Sequence, residues 1–198
     1  MAKVFDLFTF GETLALFMTT DTDSVITAQN YSMTAAGTEA NVAVAAHQLG
    51  LKVYFQTKLG PDELGIAVSN KFAEVGLETK HFITCENYTG ALVRNHGGTQ
   101  PFVNTYLRRC SAGSTFAPAD LDEAVLAKSK WLHVTGISVA ISDTSKNAVI
   151  RALEVARANK VGISFDLNYR KKLWDEEIAS TTLKSIIKDL DVVSGGVD

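Results

Sequence analysis

The chain has 198 residues, 46% of them hydrophobic and 21% charged, with a formal net charge of −3. That length supports one sizeable core, and the mild acidity gives no electrostatic pull toward nucleic acid or an anionic membrane surface. No apolar run approaches the roughly 20 residues of a membrane span, and the opening MAKVFDLFTFGE lacks the features of an export signal, so a cytoplasmic protein is expected.

In chain order, KVFDLFTFG has the composition of a first strand, and EANVAVAAHQLG reads as a helix stopped by Gly50. KVYFQTKLG is a second strand. PDELGIAVSNKFAEVG is a helix with Pro61 near its start and Gly76 at its end. Then follow KWLHVTG as strand, DTSKNAVIRALEVARANK as helix, VGISFDLN as strand, DEEIASTTLKSIIKDL as helix and DVVSG as strand. Alternation of this kind predicts an α/β fold with a mostly parallel sheet. Two stretches, about 13–35 and 89–114, lack helical periodicity and are too long for ordinary connections. They are expected to pair into a small antiparallel sheet that projects from the main domain, with a turn at HGGTQP, and forms either a flap over a ligand or a plain hairpin.

Cys85 and Cys110 lack metal-ligand spacing and are read as reduced thiols, and His47, His81, His96 and His133 form no paired arrangement. No GxGxxG, GxxxxGK[ST] or GxSxG string is present. Chemistry-bearing residues concentrate in four places. In TAAGTEAN, Gly37 leaves room for a close approach at a helix start whose first amides are unpaired, and Asn41 both donates and accepts hydrogen bonds. That mouth suits a ligand with several hydroxyls, although an N-cap at Thr38 and close packing of the alanines account for the same residues. In LGPDELG, Asp62 is expected to cap a helix. In TYLRR, Tyr106 and Arg108 fall on one face of a strand, a pairing suited to a carboxylate or phosphate, or else a solvated face. In SFDLNYRKKLW, Asp166, Asn168 and Arg170 alternate at the carboxyl end of a strand, where open α/β sheets bind ligands, although a turn stabilised by Asp166 and Asn168 accounts for two of them.

With AGTEAN (Ala36–Asn41), Gly60-x-Asp62-x-x-Gly65, FGETL, YLRRCSAGS, LHVTGIS and FDLNYRKKLW in this order, the chain resembles the ribokinase-like, PfkB-type carbohydrate kinases, most of all the 2-keto-3-deoxygluconate kinases. The resemblance implies a three-layer α/β sandwich with a small β-sheet lid. It also implies ATP and Mg²⁺ as cofactors, a sugar or sugar acid as small-molecule partner, and a homo-oligomer formed through the lid sheet. It assigns substrate binding to Gly37, Thr38, Glu39, Ala40, Asn41, Tyr106, Leu107, Arg108, Ile137 and Arg170. Asn168, Tyr169 and Arg170 are assigned to the nucleotide side.

Leu16 stands near the position where ribokinases and fructokinases carry an aspartate. Together with Arg108, it points to an acceptor bearing a carboxylate rather than to fructose or ribose, which remain the alternatives. Departures are Ala36 for the first glycine of the pair, Leu92 for a lid tyrosine, and Gly196 for the asparagine of an N-x-x-E motif. The family's GAGD motif, with the aspartate that acts as base, would lie beyond Asp198. The 198 residues are therefore expected to be an N-terminal part without phosphoryl transfer of its own, and a non-catalytic sugar-acid binder is the other reading.

Overall fold

A computed structural model describes residues 3–98 and 101–196. The first strand, β1 (Phe5–Phe10), is followed by β2 (Leu14–Thr19), β3 (Tyr31–Ala36), α1 (Thr38–Gln48), β4 (Val53–Gln56), β5 (Lys58–Leu59) and α2 (Glu63–Glu74). Next come β6 (Ile83–Thr84), β7 (Ala91–Arg94), β8 (Asn104–Leu107), α3 (Glu123–Leu126), β9 (Ser129–Thr135), α4 (Gly136–Ala140) and α5 (Asp143–Ala158). The described chain closes with β10 (Gly162–Asp166), α6 (Glu176–Ile186) and β11 (Val192–Ser194).

The main sheet has the order β11-β10-β9-β1-β4 with every neighbour parallel. Its two faces follow from the alternation of side chains along each strand. Phe8, Phe10, Leu132, Val134, Ile163 and Phe165 face α5 and α6, where Val149, Leu153 and Leu183 complete the larger core. Leu7, Val53 and Phe55 point the other way, onto Ala40 and Ala43 of α1 and Val68 and Phe72 of α2. The alanines of α1 let it lie close against β1 and β4. Gly50 and Gly76 take φ of +84° and +82° and stop α1 and α2, as their positions in the sequence predict.

The second expected strand, KVYFQTKLG, is two strands. β4 belongs to the main sheet, whereas β5 pairs only with β6. Gln56 donates to the Asp120 carbonyl at 3.1 Å, and Lys58 pairs with the Asp120 carboxylate at 2.8 Å. Both residues are thus tied to the 118–122 turn, which draws the chain away from the sheet.

The stretches without helical period form a second sheet, ordered β3-β2-β7-β8. It is mixed rather than antiparallel as expected: β2 runs parallel to β7, and only the flanking pairs are antiparallel. The chain passes through α1, β4 and α2 between β2 and β7, a crossover long enough to return it in the same sense. Of the predicted turn HGGTQP, Gly97 has φ of +74°, while Thr99 and Gln100 lie outside the described residues.

This outer sheet is fastened where it leaves the core. Thr13 Oγ1 and Thr57 Oγ1 lie 2.7 Å apart. Asp62 caps α2 by accepting from the Gly65 amide at 2.7 Å, and its other oxygen accepts from the Thr89 amide at 2.7 Å. Burial alone would raise the Asp62 pKa. The amides of Thr89, Gly65 and Leu64 outweigh it and hold the carboxyl below its ordinary value.

Candidate active site

A cavity of about 510 Å³ opens between the outer sheet and the carboxyl ends of the main strands. Sequence-distant residues meet there because each sits at the mouth of a strand. Glu12 comes from the β1–β2 connection, Leu14 from the first position of β2, and Gly37, Thr38 and Asn41 from the start of α1. Ile137 comes from α4, directly after β9, and Arg170 with Lys171 and Lys172 from the loop after β10. The outer sheet adds Leu92 and Arg94 from β7, and Asn104, Tyr106 and Arg108 from β8 and its end. Each of these two sets follows a spacing of two residues, so one face of each strand looks inward.

The start of α1 differs from expectation. Its N-cap is Gly37 rather than Thr38, and no side chain caps it, which leaves the first-turn amides available at the cavity wall. A Cβ at Gly37 would lie 2.7 Å from the Glu12 carbonyl oxygen. The glycine is therefore required by the crossing of the β1–β2 connection as well as by any ligand.

Several predicted residues do not line the cavity. Glu39, 1% exposed, is buried beneath it, where its carboxylate accepts from Thr38 Oγ1 at 2.7 Å, Thr135 Oγ1 at 2.8 Å and Ser138 Oγ at 2.6 Å. It positions the helix mouth from behind. Ala40 faces the core. Leu107 points to the opposite side of its strand and is 55% exposed. Asn168 does not continue the alternation expected from Asp166. The strand ends at Asp166, and Asn168 turns back with φ of +37°, donating from its amide and from Nδ2 to the Asp166 carboxylate, each at 3.1 Å. Tyr169 also lies off the cavity. Leu14, not Leu16, reaches the cavity from β2; Leu16 is buried behind it beside Leu92.

Arg108 is not a free cation. It forms an ion pair with Glu12, with side-chain exposures of 12% and 1%. Ser111 donates its hydroxyl to the other oxygen of Glu12. Burial drives the Glu12 pKa up, and Arg108 and Ser111 only partly offset it. Glu12 was invisible in the sequence as a site residue, although its place directly after the first strand was a usable signal. Arg94 and Asn104 were equally legible from the inward alternation that gave Tyr106 and Arg108. Lys172 donates to the Asn104 carbonyl at 2.9 Å, which joins the loop after β10 to the outer sheet.

Among the described residues, no group of three His, Cys, Asp or Glu side chains could hold a metal ion. Groups suited to anionic phosphates are present in the run Arg170, Lys171 and Lys172 at the cavity rim.

The family model for the pfkB family carbohydrate kinases matches residues 5–196. The chain belongs to that family. It is similar to a 2-dehydro-3-deoxygluconokinase of Bacillus subtilis, 31% identical over 187 residues that make up 93% of this chain and 57% of the relative. It is also similar to the crystal structure of a 2-dehydro-3-deoxygluconokinase of Thermotoga maritima. There the TM-score is 0.91, with 31% identity over 97% of this chain and 60% of that one. The fold is shared by an ATP-bound fructokinase of Xylella fastidiosa, with TM-score 0.83 and 24% identity over 96% of this chain and 57% of that one. This pfkB chain thus spans a little under two thirds of the length of the relatives it matches. Its parallel sheet and smaller mixed sheet are those of the ribokinase-like members. No helix among its described residues is long and apolar enough to cross a membrane.

Proposed function

We propose that this chain forms the acceptor side of an ATP-dependent kinase that phosphorylates 2-keto-3-deoxygluconate. One observation carries the choice of acceptor. Of the residues lining the cavity, Arg94, Arg108, Arg170, Lys171 and Lys172 are cationic, and Glu12 alone is acidic. Since Glu12 is already paired with Arg108, the remaining charge favours an anionic guest over a neutral hexose or pentose. Asn41 and the uncapped amides of α1 suit its hydroxyls.

In the complete protein, the acceptor hydroxyl oxygen bonds to the γ-phosphorus as the bond to the bridging oxygen breaks and ADP departs. The hydroxyl proton passes to a base that the family resemblance places beyond Asp198. Positioning and charge neutralisation dominate such a transfer, and Arg170 with Lys171 fits the phosphate side. Mg²⁺ would arrive on the nucleotide phosphates. The 198 residues alone are then expected to bind acceptor without transfer. The outer face of the small sheet, with Tyr31, Val103 and Leu107 exposed, is assigned to self-association in the complete protein.

A coupled ADP-release assay on the full-length protein tests the reading with keto-deoxy sugar acids, fructose and ribose. Turnover confined to the acids is expected. A preference for fructose or ribose would overturn it.

A further inference from the structure

We infer that Arg94 is the residue that selects an acidic acceptor, receiving its carboxylate at the outer-sheet end of the cavity. The inference rests on the proposed acceptor class and deepens it. Of the two arginines that the outer sheet turns inward, Arg108 has its charge matched by Glu12. Arg94 has no ion-pair partner among the described acidic residues. Its guanidinium carbon lies 4.4 Å from the centroid of the Phe102 ring, and its Nη2 lies 3.8 Å from Met18 Sδ. Neither neighbour neutralises it; both hold the plane of the fork in place. Its Nε is buried without a partner, as is Oδ1 of Asn104, the residue directly opposite it in the β7–β8 register.

Two buried polar atoms left without partners beside a cavity are costly unless something completes them. A carboxylate seated on Arg94 satisfies the guanidinium. A neighbouring hydroxyl or hydrate on the same ligand satisfies Asn104. The wall leading to Arg94 strengthens the assignment. Leu92 precedes it by two residues on the same face, and Leu14 packs against Leu92. Neither leucine can hydrogen-bond a hydroxyl, so this wall favours a guest with a methylene one carbon removed from its acidic end. A 3-deoxy acid has this feature and a fully hydroxylated aldonate lacks it. Arg170 and Lys171 stay with the phosphates.

The test is equilibrium binding to the full-length protein, without nucleotide, by calorimetry, using 2-keto-3-deoxygluconate, its methyl ester and gluconate. For the unaltered chain, the acid should bind at least about tenfold more tightly than the ester or gluconate. Arg94→Gln should weaken the acid at least about tenfold and leave the ester within about twofold, removing the preference. Arg94→Lys, which keeps charge but not the fork, should fall between them. Circular dichroism checks that each variant folds, and if Arg94→Gln fails this check, Arg94→Lys and its salt dependence carry the comparison. Tight acid binding unchanged in the arginine variants would overturn the role of Arg94 while leaving the acceptor class standing. Failure of the unaltered chain to prefer the acid would overturn both.

Discussion

Arg108 and Glu12, 96 positions apart in sequence, form a nearly solvent-free ion pair at the wall of the cavity. Removing one member of such a pair strands the other's charge in a poorly solvated place, which typically costs about 3–5 kcal/mol. Arg108→Met should therefore destabilise the protein by about that amount in urea unfolding. The double variant Glu12→Gln/Arg108→Met should lose at least about 1 kcal/mol less than the sum of the two singles. Additive losses would show that the pair is not coupled.

The raised pKa of Glu12 makes a second outcome testable. Its folded-state pKa exceeds the ordinary value of 4.5, so the folded protein holds a proton that the unfolded chain releases first. Stability should therefore fall as pH rises from about 4.5 through the raised value, with a slope of at most about 1.4 kcal/mol per pH unit. Glu12→Gln cannot titrate there. Unfolding of both proteins across this range should show a decline in the parent that the variant lacks; parallel curves would contradict it.

Lys172 fastens the loop after β10 to the outer sheet through the Asn104 carbonyl. The bond is exposed, so Lys172→Met should change global stability by no more than about 1 kcal/mol. Local opening should respond more. Hydrogen exchange of the β8 amides is expected to accelerate several-fold while β1 and β9 stay protected. Unchanged β8 exchange would mean that the contact does not restrain the sheet.

Gly37→Ala should be poorly tolerated, since its new Cβ would meet the Glu12 backbone at 2.7 Å and backbone yields less readily than a side chain. A loss of about 1–3 kcal/mol is expected by thermal or chemical unfolding. A neutral substitution would place the importance of the glycine in ligand approach alone.

Sequence periodicity gave the parallel core well, because buried strands such as Leu7–Phe10 and helices such as α5 carry strong local patterns. Side-chain chemistry at helix and strand ends singled out Gly37, Asn41, Tyr106, Arg108 and Arg170, and the family resemblance added Thr38 and Ile137; all of them line one cavity. Pairing sense was not legible. Whether β2 meets β7 parallel or antiparallel depends on the path through α1 and α2, not on the residues of either strand. Partnerships were hidden for the same reason. Nothing near Arg108 in sequence announces Glu12, and nothing near Glu39 announces Thr135 and Ser138. At Asn168 the favoured reading carried alternation past the strand end, and the other reading, a turn stabilised by Asp166, is the one found.

Asp62 and Thr57 clamp both stalks of the outer sheet to the same strand–helix connection, at Thr89 and Thr13. A sheet staked at both feet cannot swing as a rigid plate. It flexes above its roots, and displacement grows with distance from them. Glu12 lies close to the stakes, while Arg94 and Asn104 lie farther up the sheet, where the Lys172 contact to the Asn104 carbonyl is the further restraint. Under the proposed function, the staked end of the pocket would be the one to measure hydroxyl positions, and the end farther from the stakes the one to sort guests by charge.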